Sequence, residues 1–340
     1  MDRNRNVDLL RFICAFLVVC IHTPFPGKIG EMFGVFTRIA VPIFFIISGY
    51  FHNHLAENNL LIKSLKKAIT IFFVANVFYL LWGIIVEVIK GDVLLLNYIN
   101  SLIDIRKIIL FIVTNQSMLK EHLWFLGAYI YVIGIAILFE KLKIRRWVIY
   151  VIALCLLILG EMLGTYSLLV FGISLPVCFT RNFLFVGIPF YYIGVYICHN
   201  KGQINNISSL VYGILAIISF LLSVVEKSVL SYKGMLPERE HFIGTSFCAV
   251  AVFYLFINLP HVDKSKKKIG YFFSTLGRDC AAIIYVIHPT VIFVFAYIAD
   301  RFHIVFWYRF LAPVIVFFIS TIGAWLINIF RNLVKGKKNE

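Results

Sequence analysis

Charge is what this chain has least of. Only 14% of its 340 residues are charged, while 61% are hydrophobic. No water-soluble core of that length uses so much apolar surface, and no disordered or coiled-coil chain has so little charge. Acidic side chains are scarcer still, 17 Asp and Glu against 32 Lys and Arg, which leaves a net charge of +15. Such an excess can mark a nucleic-acid binder, but here the cations fall in short clusters between long apolar runs, the pattern by which a membrane protein sets its orientation. Paired cysteines are also missing. Cys14, Cys20, Cys155, Cys178, Cys198, Cys248 and Cys280 stand singly in apolar runs, with no C-x-x-C and no Cys/His ligand spacing, so neither a disulfide scaffold nor a metal site is expected. The phosphate-binding glycine loops G-x-x-x-x-G-K-[ST] and G-x-G-x-x-G are absent, which argues against a nucleotide-driven pump. The first apolar run carries Arg11 and is followed by no small-x-small cleavage site, so no removable leader is expected.

What is present is a series of apolar runs, each near the ~20 residues a helix needs to cross a bilayer. Ten segments qualify: about 7–25, 32–55, 68–89, 122–139, 147–164, 181–198, 209–225, 242–259, 277–299 and 310–330. The expected fold is an all-α polytopic bundle of about ten transmembrane helices, one domain over 1–340. An even count puts both termini on one side. With the termini in the cytoplasm, inside segments hold 18 cations, including Lys63–Lys67, Lys141–Arg146, Lys201, Lys264–Lys268 and Arg331–Lys338, and outside segments hold ten. That asymmetry predicts cytoplasmic termini. The stretch Gly164–Thr180 is uncharged and apolar enough to be an eleventh span, but counting it would move Lys264–Lys268 outside. It is therefore expected to be a re-entrant or loop-embedded segment lining a cavity, where irregular backbone is tolerated. Ile108–Val113 is expected at the interface.

No polar connection is long enough to hold chemistry, so any active site must lie in the bundle or at its mouth. A charge inside a span costs about 2.5–3.5 kcal/mol on insertion scales, which makes each one a candidate. Arg11 and His22 lie eleven residues apart on the first span, nearly on one helical face and about 16 Å apart along the axis. Spacing alone leaves two readings open: a functional stripe, or an Arg11 that snorkels beside Asp8 with His22 capping the helix before Pro24. Arg38 enters the second span from the outside, Arg181 opens the sixth and Glu121-His122 opens the fourth. Each has an anchor reading at the interface as well as a catalytic one. His288 sits in the ninth span with Tyr285 three residues before it and Pro289 after it. Its alternatives are a hydrogen-bonded core histidine and a direct role. His52 and His54 are poorly spaced for one face, and Phe44-Phe45 and Tyr191-Tyr192 read as packing.

Five segments, in order, carry a resemblance: R-x10-H over Arg11–His22, RIAVPIFFIISGYF, HLWFL, TRNFLFVGIPFYYIGVYI and IYVIHP. Together they resemble the acyltransferase-3 family of integral membrane acyltransferases, over about residues 3–330. The resemblance implies ten or so helices and transfer of an acyl group, usually acetyl from acetyl-CoA, to a hydroxyl of a cell-surface glycan or similar acceptor. It makes Arg11 and His22 the essential pair. His22 would act as base or transient acyl carrier, Arg38 or Arg181 would steady the oxyanion, and Arg11 would orient His22 or bind donor phosphates. Glu121, His122, Tyr285 and His288 complete the expected site. No tightly bound cofactor is expected, only an acyl-CoA co-substrate. The expected partners are the lipid bilayer, the donor and a hydroxyl acceptor, with no nucleic acid, in the cytoplasmic membrane of a bacterium. The same segments are similar to the membrane half of vancomycin-resistance-type serine racemases, which implies the alternative of serine binding or transport, with an outer arginine gripping a carboxylate.

Overall fold

The computed structural model describes residues 4–90, 97–100, 102, 104–200, 207–235, 241–260, 262 and 268–336. Arg3, Lys201, Lys264, Lys266, Lys267, Lys337 and Lys338, on which the charge asymmetry partly rests, lie outside the described residues. Those described are helical or connecting, and no strand occurs among them. Seven helical stretches are long and apolar enough to cross a membrane. The other three expected spans are also helical. Arg5–His22 carries Arg5, Asp8 and Arg11, while Phe183–His199 and Ile243–Asn258 are shorter apolar helices. The chain packs as two compact units: Met1–Phe44 with Gly202–Leu236 and Glu240–Glu340, and Phe45–Lys201 with Pro237–Arg239.

In the first unit, α1 (Arg5–His22) starts where Asn4 accepts from the Asn6 N–H and Asp8 places a negative charge in the first turn. It ends at Thr23, before Pro24 and Pro26. The segment expected as one span over 32–55 is broken into α2 (Gly27–Thr37), α3 (Ala40–Tyr50) and α4 (His52–Glu57). The first break falls just before Pro42, whose missing N–H costs nothing in the opening turn of α3.

The division between the units falls inside α3, so the second unit holds α3 from Phe45 on, α4, α5 (Leu61–Lys90), α6 (Ile105–Thr114), α7 (Trp124–Lys141), α8 (Arg146–Leu163), the short α9 (Ser167–Phe171) and α10 (Ile188–His199). The first unit resumes with α11 (Ser209–Tyr232), α12 (Ile243–Asn258), α13 (Lys268–Arg301) and α14 (Val305–Gly336).

The expected ninth span, 277–299, begins nine residues early, at Lys268. Hydropathy stopped at Gly277-Arg278-Asp279, but Arg278 and Asp279 pair with each other, and the bare Cα of Gly277 fits against the Asp8 carbonyl of α1. Two further contacts run along the same seam. Arg5 lies over the Tyr271 ring at 4.1 Å, and Phe12 stacks on Phe273 at 5.2 Å. Ala15 and Val19 then join Cys280, Ala281 and Ile284 in one core. Since both numberings rise together, α1 and α13 run parallel, and their N-terminal ends share one end of the unit. The next helix returns antiparallel, with the Tyr308 hydroxyl donating to the Ile292 carbonyl and Gly323 beside Ile287. The C-terminal end of α14 is thus at the same end of this unit as Arg5. Small side chains at such seams let helices approach closely. The large apolar residues that stay exposed, such as Phe318, Leu326 and Phe330 on α14, suit a lipid surround.

In the second unit, Asn115 joins three segments. It is fully buried in a left-handed conformation (φ 54°), its amide donates to the Trp124 carbonyl at 3.0 Å, and its Oδ1 accepts from the Phe183 N–H at 2.8 Å. Asn182 then caps a π-helical turn, Phe183–Gly187, through the Leu184 and Phe185 N–H groups. Replacing Asn115 by Ala leaves the part-buried Phe183 N–H without its partner, at about 1–3 kcal/mol, and removes the tie to the Trp124 carbonyl. We expect Asn115→Ala to lower the thermal-unfolding midpoint of the detergent-solubilised protein sharply. Asn115→Gly relieves only the backbone strain and is expected to recover little of that loss.

Candidate functional site

The candidate residues separate into two groups, one in each unit. In the first unit, Arg11 lies six residues into α1 and His22 ends it. Arg11 Nη1 donates to Asp8 Oδ1 at 2.7 Å and stays 28% exposed on its side chain, so the Asp8 partnership read from the sequence is present. His22 is the last residue of the helix and is exposed.

Because α13 starts at Lys268, His288 lies twenty residues into that helix and comes abreast of His22, with ring centroids 5.1 Å apart and planes tilted by 44°. His288 is fully buried, and its Nδ1 lies 3.1 Å from the Ile284 carbonyl. A carbonyl only accepts, so this bond puts the proton on Nδ1. The Tyr285 ring is 6.3 Å from His288. The structure therefore brings His22, His288 and Tyr285 together.

Arg38 caps α2 and has a neighbour that sequence reasoning missed. His241 lies just ahead of α12, with Nε2 3.1 Å from the Ser246 hydroxyl. Burial first and the Arg38 guanidinium second push its pKa down to about 4, so at neutral pH it is a neutral imidazole. No local pattern pairs residues so far apart in the chain.

In the second unit, Arg181 donates to Glu121 at 2.5 Å and its guanidinium lies 5.1 Å from the Trp124 ring centroid. His122, in the 3-10 turn Glu121–Leu123 that leads into α7, is buried with its ring 5.1 Å from that of Tyr79. Glu121, Trp124 and Arg181 border a cavity of about 440 Å³, whose far wall comes from Gly164, Ser167 and the 174–180 stretch. The expectation that Gly164–Thr180 lines a cavity is met by this wall. The stretch is irregular, holding only α9 and a 3-10 turn at Val177–Phe179.

Elsewhere in this unit His52 is buried with Nδ1 2.8 Å from the Tyr191 hydroxyl and Nε2 3.0 Å from Glu140 Oε1, while His54 lies 3.2 Å from the Asn58 amide. Both nitrogens of His52 are engaged, as a core histidine needs.

Comparison with known proteins gives one family and one curated relative. The acyltransferase domain family, the third of its name, matches residues 4–329. An amino-acid racemase of Enterococcus faecalis is 33% identical over 226 residues, a stretch that is 60% of this chain and 30% of the relative. The chain thus spans only about 30% of the length of that protein. No solved structure matches.

Proposed function

The chain belongs to the acyltransferase-3 family, and from that premise we propose that it is a multi-pass membrane O-acyltransferase with about ten crossings and cytoplasmic termini. The donor is a cytoplasmic acyl-CoA, with acetyl as the acyl group, and the acceptor is a hydroxyl on an extracytoplasmic glycan. The observation that carries the reading is the pairing of exposed His22 with buried His288, about three turns along α1 from Arg11.

In this mechanism an imidazole nitrogen of His22 takes the proton of the acceptor O–H as the oxygen attacks the thioester carbonyl. The tetrahedral intermediate then collapses and its C–S bond breaks. The coenzyme A thiolate leaves and recovers the proton from the His22 imidazolium. His288, fixed as the Nδ1–H tautomer by Ile284, takes part in spreading the positive charge that develops on His22. The oxyanion role goes to Arg38, which shares a unit with His22. Arg11, about 16 Å from His22 along the helix, serves the donor.

Purified protein given acetyl-CoA and a series of hydroxyl acceptors is expected to release coenzyme A, followed by mass spectrometry. Arg11 Nη1 pairs with Asp8, and a compact ammonium at this position can keep an ion pair with Asp8 and an attraction to donor phosphates. We expect Arg11→Ala to raise the KM for the donor about tenfold or more, and Arg11→Lys to recover most of that loss. An Arg11→Lys variant as poor as Arg11→Ala would show that planar geometry is needed instead. The curated relative favours a second reading, an amino-acid-binding module. Saturable serine binding with no coenzyme A released to any acceptor would select it.

A further inference from the structure

The cavity beside Arg181 has a composition that selects among ligands. Its volume, about 440 Å³, falls within the ~300–1,000 Å³ of small-molecule sites. Thr114, Ser167, Ser174 and Thr180 line it, together with Gln116. Gln116 Oε1 is buried and has no hydrogen-bond partner among the described residues. A buried acceptor in that state lacks about 1–3 kcal/mol of bonding, which a donor on a ligand would restore. Trp124 and Pro176 add an apolar wall.

The ion pair at the rim is internally balanced, since Arg181 bonds Glu121 and lies over Trp124. An anion would have to displace the Glu121 carboxylate, and a cation would have to displace the guanidinium. A neutral ligand with several hydroxyls needs neither exchange. Its O–H groups match the Ser, Thr and Gln side chains, and its C–H face matches Trp124 and Pro176.

We propose that this cavity is a binding site for a neutral saccharide ring, one unit of the glycan acceptor, lying in a different unit from His22 and His288. Calling the bound sugar the acceptor rests on the acyl-transfer reading; the binding itself does not. The irregular Gly164–Thr180 stretch supplies most of the lining, which gives a role to a segment the reaction chemistry leaves unused.

The test is titration of the purified full chain with methyl glucoside and methyl N-acetylglucosaminide, read by calorimetry, with L-serine and glucuronate as rival ligands. At least one neutral sugar is expected to bind saturably. Gln116→Leu is expected to weaken it about tenfold. Ser174→Trp puts an indole into the cavity from an exposed position, so it should fold normally and abolish binding. His22→Ala is expected to bind the sugar like wild type while losing transfer. Failure of both sugars to bind, unchanged binding in Ser174→Trp, or displacement of the sugar by equimolar serine or glucuronate would each overturn the proposal. Sugar binding in a wild-type protein that releases no coenzyme A would sink the transferase reading and leave the cavity assignment standing. Normal transfer to a saccharide by Ser174→Trp would do the reverse.

Discussion

His22→Ala is expected to lower the rate of acyl transfer by about 10²–10⁴-fold, the usual contribution of a positioned general base. The imidazole ends α1 and is exposed, so its loss leaves no cavity and the variant should keep its wild-type melting temperature. The KM for the donor should stay unchanged, because Arg11, which serves the donor in the proposed mechanism, lies about 16 Å away along the helix. His288 predicts a different pattern. It is fully buried and donates to Ile284, so truncation to Ala opens a cavity and mixes a stability loss with any catalytic one. His288→Gln retains an N–H group and is the cleaner probe. If His288 works through His22, His288→Gln should lower kcat by less than His22→Ala does, and the double variant should be no slower than His22→Ala alone, since groups that act as a unit are not additive. Full activity in His22→Ala would return His22 to the role of a helix cap.

The ten apolar segments were legible because hydropathy and helix length are local properties, and each segment is helical in the structure. Gly164–Thr180 could be read as cavity-lining for a related reason, since a span there conflicts with the charge pattern. The early start of α13 was hidden because a hydropathy window treats Arg278 and Asp279 as a boundary, whereas side by side they neutralise each other. Asn115 gave no signal either, although two segments hang on its amide, because its partners at 124 and 183 are fixed only by tertiary packing. His241 beside Arg38 was missed on the same ground. The single-helix stripe from Arg11 to His22 was visible from spacing, while the second histidine came from a helix more than 240 residues later.

Gly277→Val is expected to damage both stability and activity, through one contact. Any Cβ at position 277 would collide with the Asp8 carbonyl oxygen, and the nearby Phe12 backbone nitrogen blocks retreat along the seam. Both are backbone atoms, so no rotamer change relieves the clash and the two parallel helices must separate. Overpacking of this kind costs about 1–3 kcal/mol, with more where the neighbours cannot yield. Here the neighbours are Phe12, held between Phe273 and Phe317 at 5.2 and 5.0 Å, and Arg5 over Tyr271. The displacement also bears on chemistry. Asp8 holds Arg11, and eleven residues beyond Gly277 the same helix carries His288 against His22. We therefore expect Gly277→Val to lower the melting temperature and also to reduce kcat in the fraction that remains folded, by about tenfold or more, since an ångström of misplacement between catalytic groups can cost about 10²-fold. Gly323→Val is the control. A Cβ there meets only the flexible end of the Ile287 side chain at 3.3 Å, so a small stability change with normal kcat is expected. Equal losses in the two variants would mean that the α1–α13 seam does not set the histidine pair.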